Sequence, residues 1–511
     1  MASDAKAEKL EDVLQGDIWS RGFPKYHETY YLFQINPLKT TEFAKNLKSL
    51  VIDKSQVTNK PSLISSLKMV KGDWEKIDAE KKRAEAAHQE PQKLPVANAL
   101  IAFTFKGLKA LQAGLPKKRL SLATVQMTDK AFSGGMKADA DALSDPSITE
   151  TSSLFANTEV IHGLLKVAGN SREMVNDLLN EIKKALKHHD KVIEDVPGGD
   201  KGRIDGATRE GDHRGKEHFG FEDAISQPLM KDIDTIPTLP SGAFSMVTDP
   251  EILMVTEETH RPDPALKRPD WMHQGSFLVF RKLQQDVDAF NALCDQNYAN
   301  LGCQNASHLS AKLMGRWPSG APITMPEFAT VHADGTKEEM EKRKRLNDFS
   351  YEPVDRPPST GRLCPLVAHI RKTNPRERVD SNSGDIGHRL AKIIRNGIPY
   401  GPDWKQKGDS AKRGLLFACY QGSIDDAFRF MQMAWCNEEK FPPFKAQGGV
   451  GIDPIVGQHQ HREKMKSLIL EGDEKKGYLS LPVNPRLVTF QGGEYFFAPS
   501  IKALSEVLSA D

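Results

Sequence analysis

The chain has 511 residues, with 70 Lys and Arg against 69 Asp and Glu, which gives a formal net charge of +1. This length allows two or three domains with substantial cores, and the balanced charge excludes a strong field that would attract nucleic acid or an anionic membrane. The five cysteines are scattered without a CxxC pair, which argues against both a disulfide framework and a zinc cluster.

The N-terminal residues 1–17 carry acids and lysines where a signal peptide needs an apolar run. No later stretch approaches the ~20 apolar residues of a membrane helix. From the chain as given we predict neither a signal peptide nor a membrane span, and the compartment stays open.

Strand and helix patterns alternate along the first half of the chain. Residues 29–35 and 99–105 are short apolar runs rich in aromatic and β-branched residues, and each is followed by an amphipathic, helix-like segment. Residues 159–169 alternate roughly as a strand, and Ser171 is the predicted N-cap of a helix with one apolar face. The first half therefore predicts a mixture of strands and helices.

The second half repeats this pattern after a polar join. A stretch rich in Gly and charge at 197–218 and a Pro-rich segment at 236–250 separate the two halves. Strand-like residues 276–283 then begin the second half, and a strand pair near 488–500 closes it. The sequence thus predicts two similar α+β halves.

His369 is the histidine whose surroundings best suit a metal ligand. Most of the fifteen histidines are expected to be surface residues or hydrogen-bonded core residues. In residues 364–376, however, an apolar run ends at His369 in a basic turn containing Asn and Pro. A haem needs such an apolar wall, one nitrogen ligand for the iron and basic groups for its propionates.

Asp223 and Arg395 are candidates for peroxide chemistry. Asp223 lies in the segment GFEDAISQP, and its ordinary alternative is an acid that caps a helix or pairs with a lysine. Arg395 follows two isoleucines and precedes a turn, with a surface arginine at a helix end as the alternative. Cleavage of peroxide needs a group that moves a proton between the oxygens and a cation that stabilises the departing hydroxide.

Several motifs in a fixed order resemble the dye-decolorizing peroxidases, closest to the fungal branch. These segments are 10–25, 218–228, 275–283, 315–323, 364–376, 393–401, 413–421, 451–458 and 492–500. The resemblance implies an α+β fold of two ferredoxin-like domains with antiparallel sheets, placed at 1–235 and 236–511. It also implies a b-type haem that is held mainly by the C-terminal domain.

The resemblance assigns roles to the three candidates. His369 is similar to the proximal iron ligand, Asp223 to the distal acid–base group of a GxxDG signature, and Arg395 to the distal arginine. The last glycine of that signature is Ala224 here. If the position requires a positive φ, the Cβ of alanine costs about 1 kcal/mol and shifts Asp223 slightly.

Five further residues resemble family positions. Asp453 is similar to the carboxylate that accepts the other N–H of the proximal imidazole. Leu415 and Phe417 resemble the apolar residues of the distal pocket. Tyr400 and Trp435 resemble surface residues that pass electrons from bulky substrates to the haem, with core packing as the alternative for both.

The resemblance implies a peroxidase that uses hydrogen peroxide to oxidise dyes, phenols and other aromatic reductants through an oxoferryl intermediate. Because a carboxylate with an ordinary pKa near ~3.9 stays ionised in acid, we predict an acidic optimum. The alternatives are a haem-binding or iron-extracting protein of the same superfamily with little peroxidase activity, and an α+β binding module that has lost haem.

An acidic group after the proximal histidine is a candidate cation site. Glu377, Asp380 and Asp385 could bind manganese, with solvated surface charge as the simpler alternative. The fungal relatives also suggest an extracellular location, although the chain shows no signal peptide.

Overall fold

A computed structural model gives the fold of the chain. It describes residues 9–51, 62–116, 119–148, 153–235, 247–256, 267–326, 345–347, 349–351, 364–376, 390–442, 450–459, 466–471, 478–482 and 486–510. Within these ranges, no helix has both the length and the apolar character needed to cross a membrane.

Strands and helices alternate through both halves, as the sequence predicts. The strands are β1 (His27–Ile35), β2 (Ala97–Phe103), β3 (Gly163–Gly169), β4 (Ile193–Asp195), β5 (Arg203–Ala207), β6 (Leu229–Met230), β7 (Val247–Thr248), β8 (Ser276–Gln285), β9 (Ile394–Arg395), β10 (Ile398–Tyr400), β11 (Gly414–Gln421), β12 (Lys466–Glu471), β13 (Tyr478–Pro482) and β14 (Val488–Ala498). The α-helices are α1 (Leu10–Val13), α2 (Thr40–Lys48), α3 (Leu67–Ala86), α4 (Phe105–Gly114), α5 (Ala123–Thr128), α6 (Lys130–Gly134), α7 (Ala140–Leu143), α8 (Arg172–Ala185), α9 (Pro250–Leu253), α10 (Val287–Asn297), α11 (Ala306–Met314), α12 (His369–Thr373) and α13 (Ile501–Glu506).

One ten-stranded antiparallel sheet joins the two halves. Its order is β10-β11-β8-β14-β2-β3-β1-β4, with β5 also paired to β1 and β9 to β11. The halves meet where β14 of the second half pairs with β2 of the first, at Phe497 opposite Phe103. The predicted α+β class with antiparallel sheets is therefore confirmed, while the boundary after residue 235 stays a prediction.

The central strands are buried on both faces. On β1, Tyr31 and Phe33 pack into one apolar cluster, whereas Tyr30 and Leu32 pack into the cluster on the opposite face. Each such buried side chain contributes ~1.5–3 kcal/mol of hydrophobic stabilisation relative to exposure. Two-sided burial explains why these strands are continuous apolar runs and not alternating patterns.

The start of one predicted strand differs from the sequence pattern, whereas the start of the helix that follows it agrees. The strand expected at 159–169 begins only at Gly163, because a short 3₁₀ helix occupies Thr158–Val160. In contrast, the N-cap prediction is confirmed: the Ser171 hydroxyl accepts a hydrogen bond from the Met174 amide (3.2 Å). A cap side chain fixes a helix start more directly than a periodicity fixes a strand start.

Two consecutive π-helical segments, Asp425–Arg429 and Met431–Cys436, follow β11. Phe428, Met431 and Cys436 from these segments line the cavity described below. The π-helix is rare and is found mostly at functional sites, since its wider turn redirects side chains.

Candidate functional site

A large cavity lies between the sheet, α12, the π-helical segments and the loop that precedes β6. Its volume is about 280 Å³, far above the roughly 30 Å³ of one water molecule. Apolar side chains from separate elements form much of its wall, among them Leu283, Ile370, Phe428 and Phe490. The cavity is therefore shaped for an apolar ligand and not for a few waters.

His369 stands at the first position of α12 and lines this cavity. Its Nδ1 lies 2.8 Å from Oδ2 of Asp453, which is fully buried. The other oxygen of Asp453 accepts from the amides of Ile455 (2.8 Å) and Val456 (3.0 Å). With Nδ1 as the donor, Nε2 is the nitrogen that a metal ion in the cavity can use.

The electrostatics of Asp453 suit this arrangement. Burial alone would raise the pKa of its carboxyl, but the neighbouring His369 and the two backbone amides hold that pKa below its ordinary value. Asp453 therefore stays an acceptor and fixes the orientation of the imidazole.

Asp223 and Arg395 form an ion pair at the wall of the same cavity. The Nη1 of Arg395 donates to Oδ1 of Asp223 (2.7 Å), and Nη2 donates to the Ser226 carbonyl (3.0 Å). Burial opposes ionisation of Asp223, but Arg395 and the Ala224 amide hold its pKa below the ordinary value. The cavity thus contains an ionised carboxylate beside a fixed cation.

Gln227, in the loop that precedes β6, fixes the backbone of Arg395. Its Oε1 accepts from the Arg395 amide (3.0 Å), and its Nε2 donates to the Arg395 carbonyl (2.5 Å). The sequence pattern does not single out Gln227, although this residue lies in the same GFEDAISQP segment as Asp223. A side-chain amide that bonds both the N–H and the C=O of a residue 168 positions away is a contact that only the fold reveals.

The conditional expectation for Ala224 holds, because this residue has φ +61°. Its amide donates to Oδ1 of Asp223 (2.6 Å), so the left-handed conformation aims this N–H at the carboxylate. Alanine carries a strain there that glycine would avoid.

Leu415 and Phe417 both line the cavity, as expected for pocket residues. On β11 these two side chains are half-buried, whereas Leu416 and Ala418 between and beyond them point into the core. The Phe417 ring lies 6.2 Å from that of Phe428 on the π-helical side. The alternation of β11 thus narrows the cavity with two apolar groups.

Tyr400 and Trp435 differ in exposure. Tyr400, at the end of β10, is half-buried, and the Lys282 ammonium lies 5.3 Å from its ring. Trp435 is only 4% exposed, because it stacks on Phe441 (5.2 Å) and meets Phe430 edge-on (5.4 Å). The prediction of a surface position is therefore wrong for Trp435.

Two cations, the buried Arg316 and the half-buried Lys392, line the cavity without a carboxylate partner among the described residues. Lys392 donates to Oδ1 of Asn374 (3.2 Å), and burial together with Arg376 lowers its pKa to about 8. Arg316 donates to backbone carbonyls and to Oδ1 of Asn347 (3.0 Å), and burial lowers its pKa to about 9. Such cations suit an anionic ligand group.

Glu217 is a further residue that sequence reasoning missed. It is buried, lines the cavity and accepts from the amides of Phe219 (2.8 Å) and Phe221 (2.9 Å), and also from Gln285. Burial raises its pKa. Glu217 lies in a highly charged stretch of sequence, which predicts an exposed acid. In the structure it is buried instead, and it holds the loop that carries Asp223.

The acidic group proposed for manganese, at Glu377, Asp380 and Asp385, lies outside the described residues. In the ranges that are described, no group of three or more His, Cys, Asp or Glu side chains could hold a metal ion.

Comparisons with known proteins agree with the geometry of the cavity. Residues 13–200 match the family described as "DyP dimeric alpha+beta barrel domain", and residues 255–449 match "Dyp-type peroxidase, C-terminal". A dye-decolorizing peroxidase of Auricularia auricula-judae is 30% identical over 512 residues, which cover 98% of this chain and 87% of that protein.

Solved structures give the same result. An ancestral D-type dye-decolorizing peroxidase is 34% identical, with a TM-score of 0.76 over 98% of this chain and 99% of that one. A dye-decolorizing peroxidase in complex with 2,6-dimethoxyphenol is 29% identical, with a TM-score of 0.71 over 98% and 99%. These likenesses favour a peroxidase over a haem-binding protein with little activity. The chain therefore belongs to the dye-decolorizing peroxidases, a family of haem enzymes that oxidise aromatic compounds with peroxide.

Proposed function

We propose that this chain is a haem b peroxidase in which His369 binds the iron, Asp223 moves the proton of hydrogen peroxide and Arg395 stabilises negative charge. The observation that carries this proposal is the 2.7 Å ion pair of Asp223 and Arg395 at the wall of the cavity that His369 also lines. An acid–base group, a cation and a metal-binding nitrogen in one apolar cavity are what cleavage of peroxide requires.

The residues of the cavity fit a haem. The apolar wall suits a macrocycle, the Nε2 of His369 suits its iron, and Lys392 and Arg316 suit its two carboxylates. When bound, haem supplies the iron at which the O–O bond is cleaved and the oxidising equivalents that the substrate consumes. Asp453 makes the imidazole a stronger ligand through the bond to Nδ1.

Asp223 transfers the proton through one of its two oxygens. Its Oδ1 already accepts from Arg395 and from the Ala224 amide, so Oδ2 is the atom that takes a proton from the near oxygen of peroxide. The same atom returns the proton to the departing oxygen, while the guanidinium of Arg395 stabilises the charge that develops there. Both residues are held in place before peroxide enters.

The aromatic reductants are dyes and phenols, in keeping with the family. Tyr400, half-buried at the end of β10, is the proposed entry point for electrons from substrates too bulky for the cavity. Trp435 is proposed as an inner relay, since it is buried one residue before the cavity-lining Cys436. Oxidation of manganese and a location outside the cell stay predictions from the sequence.

Reconstitution with haem tests the proposal directly. The wild-type protein is expected to bind haem with a Soret band typical of imidazole ligation, and His369→Ala is expected to lose that ligation. His308→Ala is a matched control, because this histidine stacks on Trp317 away from the cavity lining. An unchanged spectrum for His369→Ala would refute the assignment of the ligand.

A further inference from the structure

A sealed cluster of four charged side chains lies behind Arg395. Asp17, Glu28 and Lys166 have side chains that are 0% exposed, and Lys25 is 16% exposed. Lys166 Nζ lies 2.5 Å from Asp17 Oδ2 and 3.2 Å from Glu28 Oε1, and Lys25 Nζ lies 2.9 Å from the same Glu28 oxygen. Two cations and two carboxylates thus balance inside the protein.

Neutral donors complete the hydrogen bonding of the carboxylates. The Tyr420 hydroxyl donates to Asp17 (2.5 Å), and the Tyr30 hydroxyl donates to Glu28 (2.9 Å). The Phe23 amide donates to the second oxygen of Asp17 (3.0 Å). A buried polar network in which every member has its partners is rigid and specifies one geometry.

Both lysines of the cluster also reach one backbone carbonyl, that of Asn396. Lys166 donates to it at 2.6 Å and Lys25 at 3.0 Å. The Asn396 side chain in turn donates to the carbonyls of Asp17 (2.6 Å) and Trp19 (3.0 Å). Asn396 directly follows Arg395, so the cluster holds the peptide unit next to the distal cation.

The sheet supports this segment through one neighbouring strand, β11, whose Ala418 carbonyl accepts from the Asn396 amide (2.9 Å). Strand β9 contains only Ile394 and Arg395, which pair with Tyr420 and Cys419 of β11. The N-terminal segment comes so close that a Cβ at Gly22 would lie 2.7 Å from Cγ of Asn396. Pairing with β11 and the contacts of Gln227 hold Arg395, and the charged cluster adds a further support at the Asn396 carbonyl.

We infer that Asp17, Lys25, Glu28 and Lys166 form a positioning cluster that fixes Arg395 against Asp223 through the carbonyl of Asn396. This inference rests on the role proposed for Arg395 and adds the residues that set its geometry. Replacement of buried ion pairs by apolar side chains is often neutral or stabilising, so stability alone gives no reason to place four charges here. The requirement that Arg395 be held at a fixed position relative to Asp223 supplies that reason.

The test is a double-mutant cycle on the haem-loaded protein. Lys25→Met and Lys166→Met are each made in the wild type and in Arg395→Leu, and the second-order rate constant with hydrogen peroxide is measured by stopped flow. We expect each lysine variant to lower the wild-type rate by about tenfold to a hundredfold, since ~1 Å of misplacement can cost about 10²-fold. In the Arg395→Leu background the same variants are expected to change nothing further.

Fluoride binding to the ferric protein gives a second measurement that does not depend on turnover. The affinity of the iron for this anion reports the hydrogen bond from a distal cation, so it is expected to fall in both lysine variants. Gly22→Ala displaces Asn396 without removing a charge, and it replaces Lys166→Met if that variant does not fold. Arg268→Gln is the matched control, because it breaks the buried Arg268–Asp129 pair elsewhere in the fold.

The outcomes separate the two proposals. If Arg395→Leu itself leaves the peroxide rate unchanged, the role proposed for Arg395 is wrong and the positioning cluster has no function to support. If Arg395→Leu slows the reaction but the lysine variants slow it equally in both backgrounds, or no more than Arg268→Gln does, only the positioning inference is overturned.

Discussion

Two carboxylate–cation pairs of nearly equal length occupy different environments in this protein. Asp223 and Arg395 are 2.7 Å apart, and their side chains are 35% and 31% exposed towards the cavity. Asp17 and Lys166 are 2.5 Å apart, and both are 0% exposed. The two pairs therefore differ in exposure and not in length. Only a pair that a small molecule can reach can take part in chemistry.

The same electrostatic balance acts on both aspartates. In each case burial alone would raise the pKa, yet the neighbouring cation holds the pKa below its ordinary value. In the cavity this balance keeps Asp223 ionised, as the base proposed for peroxide cleavage must be. In the sealed cluster it leaves Asp17 as a permanent structural charge.

The largest expected effect is on activity at the cavity pair. Asp223→Asn removes the proton acceptor, so we expect the rate constant with hydrogen peroxide to fall by roughly 10²–10⁴-fold. Because the pair is partly exposed, the free energy of unfolding should change by no more than about 1 kcal/mol. Stopped-flow kinetics and chemical denaturation check the two halves of this prediction, and an unchanged rate would show that Asp223 is not the base.

The sealed pair should behave in the opposite way. Asp17→Asn leaves a buried ammonium with half of its compensation, so we expect a loss of about 3–5 kcal/mol in the free energy of unfolding at neutral pH. The pKa of Asp17 is depressed in the folded state, so this difference should shrink as the pH falls through that lowered pKa. Urea denaturation at several pH values measures it, with Asp223→Asn as the control; equal losses would remove the contrast between the pairs.

The pH dependence of the peroxide reaction sharpens the comparison further. Three charged or titratable groups act on Asp223, namely Arg395, His369 and Glu217. Since Arg395 lowers its pKa, the base should lose its activity only below the ordinary value of 3.8. In Arg395→Leu the acidic limb of the rate profile should move to higher pH, because the cation that offsets most of the effect of burial on the Asp223 pKa is gone.

Lys183→Met serves as the control for this profile, because neither Lys183 nor its partner Asp195 is part of the cavity lining. Identical acidic limbs in wild type and Arg395→Leu would mean that the titrating group is not Asp223.

The smallest expected effect concerns Ala224. Ala224→Gly relieves the cost of a positive φ, about 1–2 kcal/mol, and loses ~0.4–1 kcal/mol through the greater freedom of the unfolded chain. We expect the free energy of unfolding, measured by thermal denaturation, to rise by up to about 1 kcal/mol. Ala79→Gly within α3 is the control of opposite sign, with a loss of about 1 kcal/mol. A loss for both variants would show that the loop at Ala224 is not strained.

Site residues could be predicted from the sequence where their signal is local in the chain. The position of His369 in the cavity could be predicted, because its apolar run and basic turn are adjacent in the chain. The Ser171 cap could be predicted because it joins residues only three positions apart. Lys166, alone within the apolar run of β3, carried a signal that a buried charge was needed, but its partner Asp17 is 149 residues away.

Other features could not be read from local pattern. Trp435 is buried because its ring packs against those of Phe430 and Phe441. The roles of Gln227 and Asn396 depend on backbone atoms 168 and 379 residues away. No periodicity or motif spacing encodes contacts of that range, so they had to come from the structure.

The hydrogen bond between Asn396 and Asp17 also constrains when the site can form. It joins residues 379 positions apart, and the strand that supports Arg395 pairs with residues that follow it in the chain. Contacts of such separation carry a larger loop-closure entropy than local ones and tend to slow folding. We therefore expect the hydrogen bonds that surround Arg395 to form late in folding, once β11 has been synthesised and has paired with β9.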